Sequence, residues 1–188
     1  MVKSGSPVAD SMNTLSIDPA NRRTFLHRLA LLGGTAVLTS SALAAAKAGD
    51  KLPDLAKMGL EGTLPDLRGK VVHLDFWASW CVPCKESFPV LEALHKEYGA
   101  KGYVLIGVSV DEDKAEMDRF LKAHKVTFPI VRDASEKLAF QLRPPGMPTS
   151  FFAGPDGIIH SVHPKFEGES TRKAYVQIIE ELLKKATP

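Results

Sequence analysis

Cysteine is nearly missing from this chain, with two among 188 residues. One pair leaves no second set of thiolates for a metal site. Nor is it a useful staple: bridging Cys81 to Cys84 closes a loop so short that the unfolded chain loses only about 2 kcal/mol of freedom, against about 5 kcal/mol for a long loop. An excess of one charge is also missing. Four basic residues (Lys3, Arg22, Arg23, Arg28) and two acidic ones (Asp10, Asp18) fall in residues 1–46, so the formal charge of +2 belongs to that segment. The remaining 20 basic and 20 acidic residues balance, so no net basic character asks for nucleic acid or anionic lipid. No undiluted apolar run is long enough for a strong membrane span. The uncharged stretch Leu29–Ala46 is interrupted by Gly33, Gly34, Thr35, Thr39, Ser40 and Ser41. Internal repeats and low-complexity tracts are absent too.

What is present begins with an export pattern. Asn21-Arg22-Arg23-Thr24-Phe25-Leu26 leads into the uncharged run, which ends in small residues at Ala42-Leu43-Ala44 and Ala44-Ala45-Ala46. A positive start, an apolar middle and an A-x-A end are the parts of a secretory signal, and the adjacent arginines resemble a twin-arginine signal. Residues 1–46 are therefore expected to be an export signal, cleaved or else retained as an anchor, with Met12 as an alternative start. Residues 47–61 are expected to be a loose linker, and 62–188 a single domain.

Within that domain, Thr63–Lys70 predicts a short edge segment and a turn, and Val71–Trp77 is apolar enough for a central strand covered on both faces. A helix follows Cys81, contains Pro89, and ends near Gly99 or Gly102. The pattern then predicts a strand over Tyr103–Val110, a helix opening at Asp111-Glu112-Asp113 with Met117, Phe120 and Leu121 inward, a strand at Phe128–Val131 and a helix at Ala134–Leu142. Thr149–Ala153 and Ile158–His163 flank Gly154-Pro155-Asp156-Gly157 and read as a hairpin. Ser170–Lys185 closes the chain as a helix with Ala174, Ile178, Leu182 and Leu183 inward. Alternation first and an antiparallel pair last predict an α/β fold: a mixed sheet with helices on both faces.

The organising stretch is Asp75-Phe-Trp-Ala-Ser-Trp-Cys-Val-Pro-Cys-Lys85. A strand that turns abruptly into a helix puts Cys81 at the helix start, where unpaired N–H groups and about half a positive charge favour thiolate over thiol. Two cysteines this close can form and open a small disulfide ring. The stretch resembles the active sites of thioredoxin-like proteins, and in its W-C-x-P-C form it is similar to exported thiol–disulfide oxidoreductases of the TlpA/ResA type. The resemblance covers Leu64 to Ala186. The 38 residues between Val110 and the hairpin leave room for the extra helix and strand of that branch. It implies a thioredoxin-like three-layer sandwich carrying a helix–strand insertion.

The resemblance implies roles in turn. Cys81 is the nucleophile and Cys84 the resolving thiol, together the redox-active disulfide. Pro148, in Gly146-Met147-Pro148-Thr149, matches the family's cis-proline. Trp80, Val82, Pro83, Met147 and Thr149 would meet substrate, and Trp77 belongs to the core. Asp75 is either an end-of-strand acid facing solvent or a buried proton acceptor for Cys84. It matches the buried acid of thioredoxin, whereas TlpA-like proteins often have Asn there; their common Glu after the second cysteine is Ser87 here, with Glu86 one place off. His160 and His163, three apart on a strand, are expected on opposite faces, and His73, His95 and His124 in solvent. No metal and no organic cofactor are expected.

The implied function is a monomeric periplasmic oxidoreductase that reduces disulfides of client proteins, such as apocytochrome c or copper-site assembly proteins, recharged by a membrane-embedded thiol electron donor. A Cu(I)-delivery protein using the same two thiols is the alternative. A thiol peroxidase would need Thr or Ser three residues before the cysteine, where Ala78 stands.

Overall fold

Val71–Trp77 forms strand β1 and is buried along its whole length, as a nearly continuous apolar segment should be when both faces are covered. A computed structural model describes residues 44–186; the expected export signal lies almost entirely outside them. The further elements are helix α1 (Val82–Tyr98), strand β2 (Tyr103–Ser109), helix α2 (Lys114–Ala123), strand β3 (Ile130–Arg132), helix α3 (Lys137–Leu142), strand β4 (Thr149–Ala153), strand β5 (Ile159–Pro164) and helix α4 (Glu169–Ala186). The sheet order is β3-β2-β1-β4-β5. β1, β2 and β3 run parallel, while β4 is antiparallel to β1 and to β5.

Alternation along β1 divides the core in two. Val71 and Trp77 meet α1, α2 and α4 through Cys84, Phe88, Leu91, Met117, Phe120, Tyr175 and Ile179. Val72, Leu74 and Phe76 meet α3 and the entering chain through Leu138, Leu142, Leu55 and Met58. This is the mixed sheet covered on both faces that the sequence predicts, and α2 with β3 is the expected insertion. Gly107 on β2 is needed there: a Cβ would stand 2.6 Å from Ile130 Cδ1 and 3.2 Å from Trp77 Nε1.

Element edges move by a few residues. The third strand takes Ile130–Arg132 because Phe128 is a core side chain instead. Helix α2 starts at Lys114, capped by Asp113 through Ala115 N–H. Pro89 lies on the exposed side of α1, which continues through it. Helix α4 is rotated from the expected face: Tyr175, Ile179 and Leu182 are the buried residues, and Ala174 and Ile178 are only partly covered.

Residues 47–61 are not a loose linker. Gly49 N–H donates to Ile159 O, Leu52 N–H to Gly157 O, and Glu61 pairs with Arg132 in both backbone directions. Leu55 and Met58 are buried against the sheet. Apolar residues spaced too irregularly for a helix or strand concealed this covering role. Thr63–Lys70 forms no strand; it crosses the same face with Leu64 and Leu67 packed inward.

Candidate active site

At the end of β1 the chain turns through Ala78, Ser79 and Trp80 into α1. Cys81 is the N-cap of that helix, and its Sγ accepts from the Cys84 N–H at 3.3 Å. Sulfur is a weak acceptor when neutral and a strong one as thiolate, so this bond and the helix N-terminus both favour the ionised form. Pro83 falls at the start of the helix, where its missing N–H costs nothing. The two cysteines form a disulfide. Cys81 is 5% exposed and Cys84 fully buried, the order expected of an attacking and a resolving sulfur. Ser87, where a carboxylate would be usual, donates its hydroxyl to Cys84 O.

Apolar side chains flank Cys81 at the surface. Trp80 is 68% exposed and Val82 63%, unusual for side chains of this kind. Met147 packs against the cluster that contains both cysteines, and the Met147–Pro148 bond is cis. Thr149, expected on the contact surface, is buried instead; its hydroxyl donates to Gly146 O and holds the loop before Pro148. Trp77 is in the core, edge-on to Phe88.

Asp75 is buried, on the face of the sheet shared with Trp77 and α1. Its Oδ1 accepts from Ser150 Oγ at 2.7 Å, and Ser150 Oγ lies 2.8 Å from Tyr175 OH. Burial pushes the carboxyl up to about 7, opposed by the Ser150 hydrogen bond. Its negative charge adds to burial in raising both Tyr103 and Tyr175. The solvent-facing reading of Asp75 is thus excluded.

Comparison with known proteins agrees with this geometry. The AhpC/TSA family model matches residues 48–162. The thiol–disulfide oxidoreductase ResA of Bacillus subtilis is 35% identical over 118 residues, 62% of this chain and 65% of the relative, just under two thirds of its length. ResA of Bacillus cereus is 34% identical over 143 residues, 74% of this chain and 79% of the relative. The chain belongs to the AhpC/TSA family, beside the ResA-type thiol–disulfide oxidoreductases. A Chlorobium tepidum structure described as a putative thiol:disulfide interchange protein DsbE superposes with a TM-score of 0.68 at 33% identity, over 74% of this chain and 99% of that one. StoA from Bacillus subtilis gives 0.53 at 28% identity, over 60% and 85%. The fold of this AhpC/TSA-family member is therefore thioredoxin-like.

The residue that sequence reasoning missed in it is Asp111. Read as a helix-opening acid, it is buried and outside the helix. Its carboxylate accepts from Ser79 N–H at 3.0 Å, Ser79 Oγ at 2.7 Å and Ser109 Oγ at 2.8 Å. Asp111 thereby ties the turn before Cys81 to the end of β2. Arg132 braces it, donating to the carbonyls of Asp111 and Glu112 while paired with Glu61. The signal was in the sequence: Ser109 two residues earlier is an Asx-like partner. Asp111→Ala leaves three donors without their acceptor, one on buried Ser109 and two on half-buried Ser79, and should cost about 3 kcal/mol in urea unfolding; a loss below about 1 kcal/mol would mean that the turn holds without it.

Two histidine expectations are corrected. His73 is buried, not solvated, because β1 has no solvent face. Its ring stacks on Phe152 and its Nδ1 lies 2.7 Å from Tyr103 OH, and burial keeps it well below the usual histidine range. His160 and His163 both face α4, His160 toward Glu181 and His163 against Tyr175. An irregularity in the β4–β5 register between Phe152 and Ala153 breaks the strict alternation that would have separated them. Among the described residues no group of three or more such side chains could hold a metal ion, and no helix is long and apolar enough to cross a membrane.

Proposed function

We propose that this protein reduces disulfides of client proteins outside the cytoplasm. The observation that carries the reading is the capped Cys81 sulfur beside an exposed apolar patch, with Cys84 buried behind it. The Cys81 thiolate attacks one sulfur of a client disulfide, forming a mixed disulfide and expelling the other client sulfur as a thiolate. The Cys84 thiol gives its proton to Asp75, and the resulting thiolate attacks Cys81 Sγ. The second client thiolate leaves, the Cys81–Cys84 bond closes, and two electrons have passed to the client. Burial raises the Asp75 carboxyl to about 7, which makes it a better proton acceptor near neutral pH than an ordinary carboxylate. Trp80, Val82, Pro83 and Met147 supply an apolar seat, and the Met147 backbone beside Pro148 can pair with an extended client segment.

The export pattern in residues 1–46 supports a periplasmic location, where client cysteines oxidise unless kept reduced. Apocytochrome c and copper-site assembly proteins are the clients proposed, with a membrane-embedded thiol donor returning electrons. Val82 and Pro83 bring no charge and no side-chain donor between the cysteines, so the thiolate relies on backbone alone and is less stabilised than in a strong oxidant. A glutathione redox titration of the full chain tests the direction. A potential near or below that of thioredoxin, about −270 mV, is expected. One near about −120 mV would make the protein a disulfide donor and refute the reductase reading.

A further inference from the structure

Asp75 sits in a polar rung that crosses the sheet. It is paired with Ser150 on β4, and Ser150 with His163 on β5. Tyr175 comes down on the rung from α4. We infer that Ser150 and Tyr175 are positioning residues for the proton acceptor: Ser150 keeps Asp75 Oδ1 occupied, which reserves Oδ2 for the Cys84 proton, and Tyr175 acts by fixing the direction in which Ser150 donates. The inference rests on the proposed role of Asp75 in resolution.

The polarity of the row follows from counting protons. An ionised carboxylate only accepts, so the single hydroxyl proton of Ser150 points at Oδ1 across 2.7 Å. Ser150 Oγ then receives from Tyr175 OH across 2.8 Å. Asp75 Oδ2 is buried with no hydrogen-bond partner among the described residues. A proton arriving at Oδ2 leaves the row intact, whereas one arriving at Oδ1 has to reverse it.

The other groups facing this site leave the task to the row. His73 on β1 is engaged with Tyr103 on β2. His163 on β5 presents its ring edge-on to Tyr175, and burial and the neighbouring His160 lower its proton affinity. Among the described residues no cationic side chain pairs with Asp75.

The test is a carbon-13 NMR titration of the Asp75 carboxyl in the oxidised full chain. Ser150→Ala should raise the midpoint by about one pH unit, a tenfold change in acid constant, and Ser150→Thr, which keeps the hydroxyl, should restore it. Tyr175→Phe should raise it less, and should add nothing in the Ser150→Ala background, because Tyr175 works through Ser150. An unmoved midpoint in both single variants, or an equal Tyr175→Phe shift in both backgrounds, overturns the inference. Failure of the underlying reading has a separate sign: Asp75→Asn would leave the pH profile of client reduction unchanged, whatever the Ser150 variants do to the carboxyl.

Discussion

Cys84→Ser is expected to give a protein that attacks one client disulfide and stops. Cys81 keeps its place at the N-cap of α1 and its apolar surroundings, so the first exchange proceeds and the mixed disulfide forms. A serine hydroxyl cannot resolve it, since an alkoxide is inaccessible at neutral pH and the S–S bond needs a thiolate attacker. Client protein should then accumulate covalently on Cys81, visible as a mass increase that a small thiol reverses. Cys81→Ser should lose turnover without trapping anything, because Cys84 is buried behind it. Both variants should lie at least about three orders of magnitude below the parent in turnover, as expected when one member of a functional unit is removed. Mass spectrometry of each variant mixed with a disulfide-containing client separates the roles. Trapping on Cys81→Ser in place of Cys84→Ser would reverse the assignment of nucleophile and resolving thiol.

The parts of this site that were legible beforehand are those in which one local rule acts alone. The Cys81–Cys84 spacing, Pro83 early in the helix and the glycine-bounded turn between β4 and β5 each follow from backbone preference, and each lies where expected. Trp80 and Trp77 were separable because one precedes the helix and the other ends the buried strand. What escaped depends on partners distant in sequence. Asp111 has a local partner in Ser109, but the tie that gives it its role runs to Ser79, 32 residues away, and so it looked like a helix-opening acid. The inward face of α4 was misplaced because Tyr175, mostly apolar, tolerates burial only with its hydroxyl satisfied, and Ser150 satisfies it. His160 and His163 were assigned to opposite faces by an alternation that the irregular β4–β5 register interrupts. Irregular segments carry no period at all, and so 47–61 gave no sign that it covers one face of the sheet.

Asp75 should also leave a mark on stability that is opposite in sign to that of an ordinary surface carboxylate. Below the ordinary carboxyl value of 3.8 both the folded and the unfolded chain hold the proton, and burial of the neutral acid costs little. Between 3.8 and about 7 the unfolded chain releases it while the folded one retains it. Each pH unit in that window therefore removes about 1.4 kcal/mol of stability, a total of about 4 kcal/mol, and above pH 7 the loss levels off. Other groups titrate in the same range. His73, held neutral by burial, destabilises the fold in the opposite direction, as pH falls below 6.5. The difference between the parent and Asp75→Asn removes these shared contributions. Asparagine still accepts from Ser150 and never ionises, so the variant should gain about 4 kcal/mol relative to the parent between pH 4 and pH 7.5 in urea unfolding of the oxidised proteins. A flat difference would mean that Asp75 ionises as readily inside the protein as in water, and a carboxylate of ordinary basicity would be poorly matched to take the Cys84 proton.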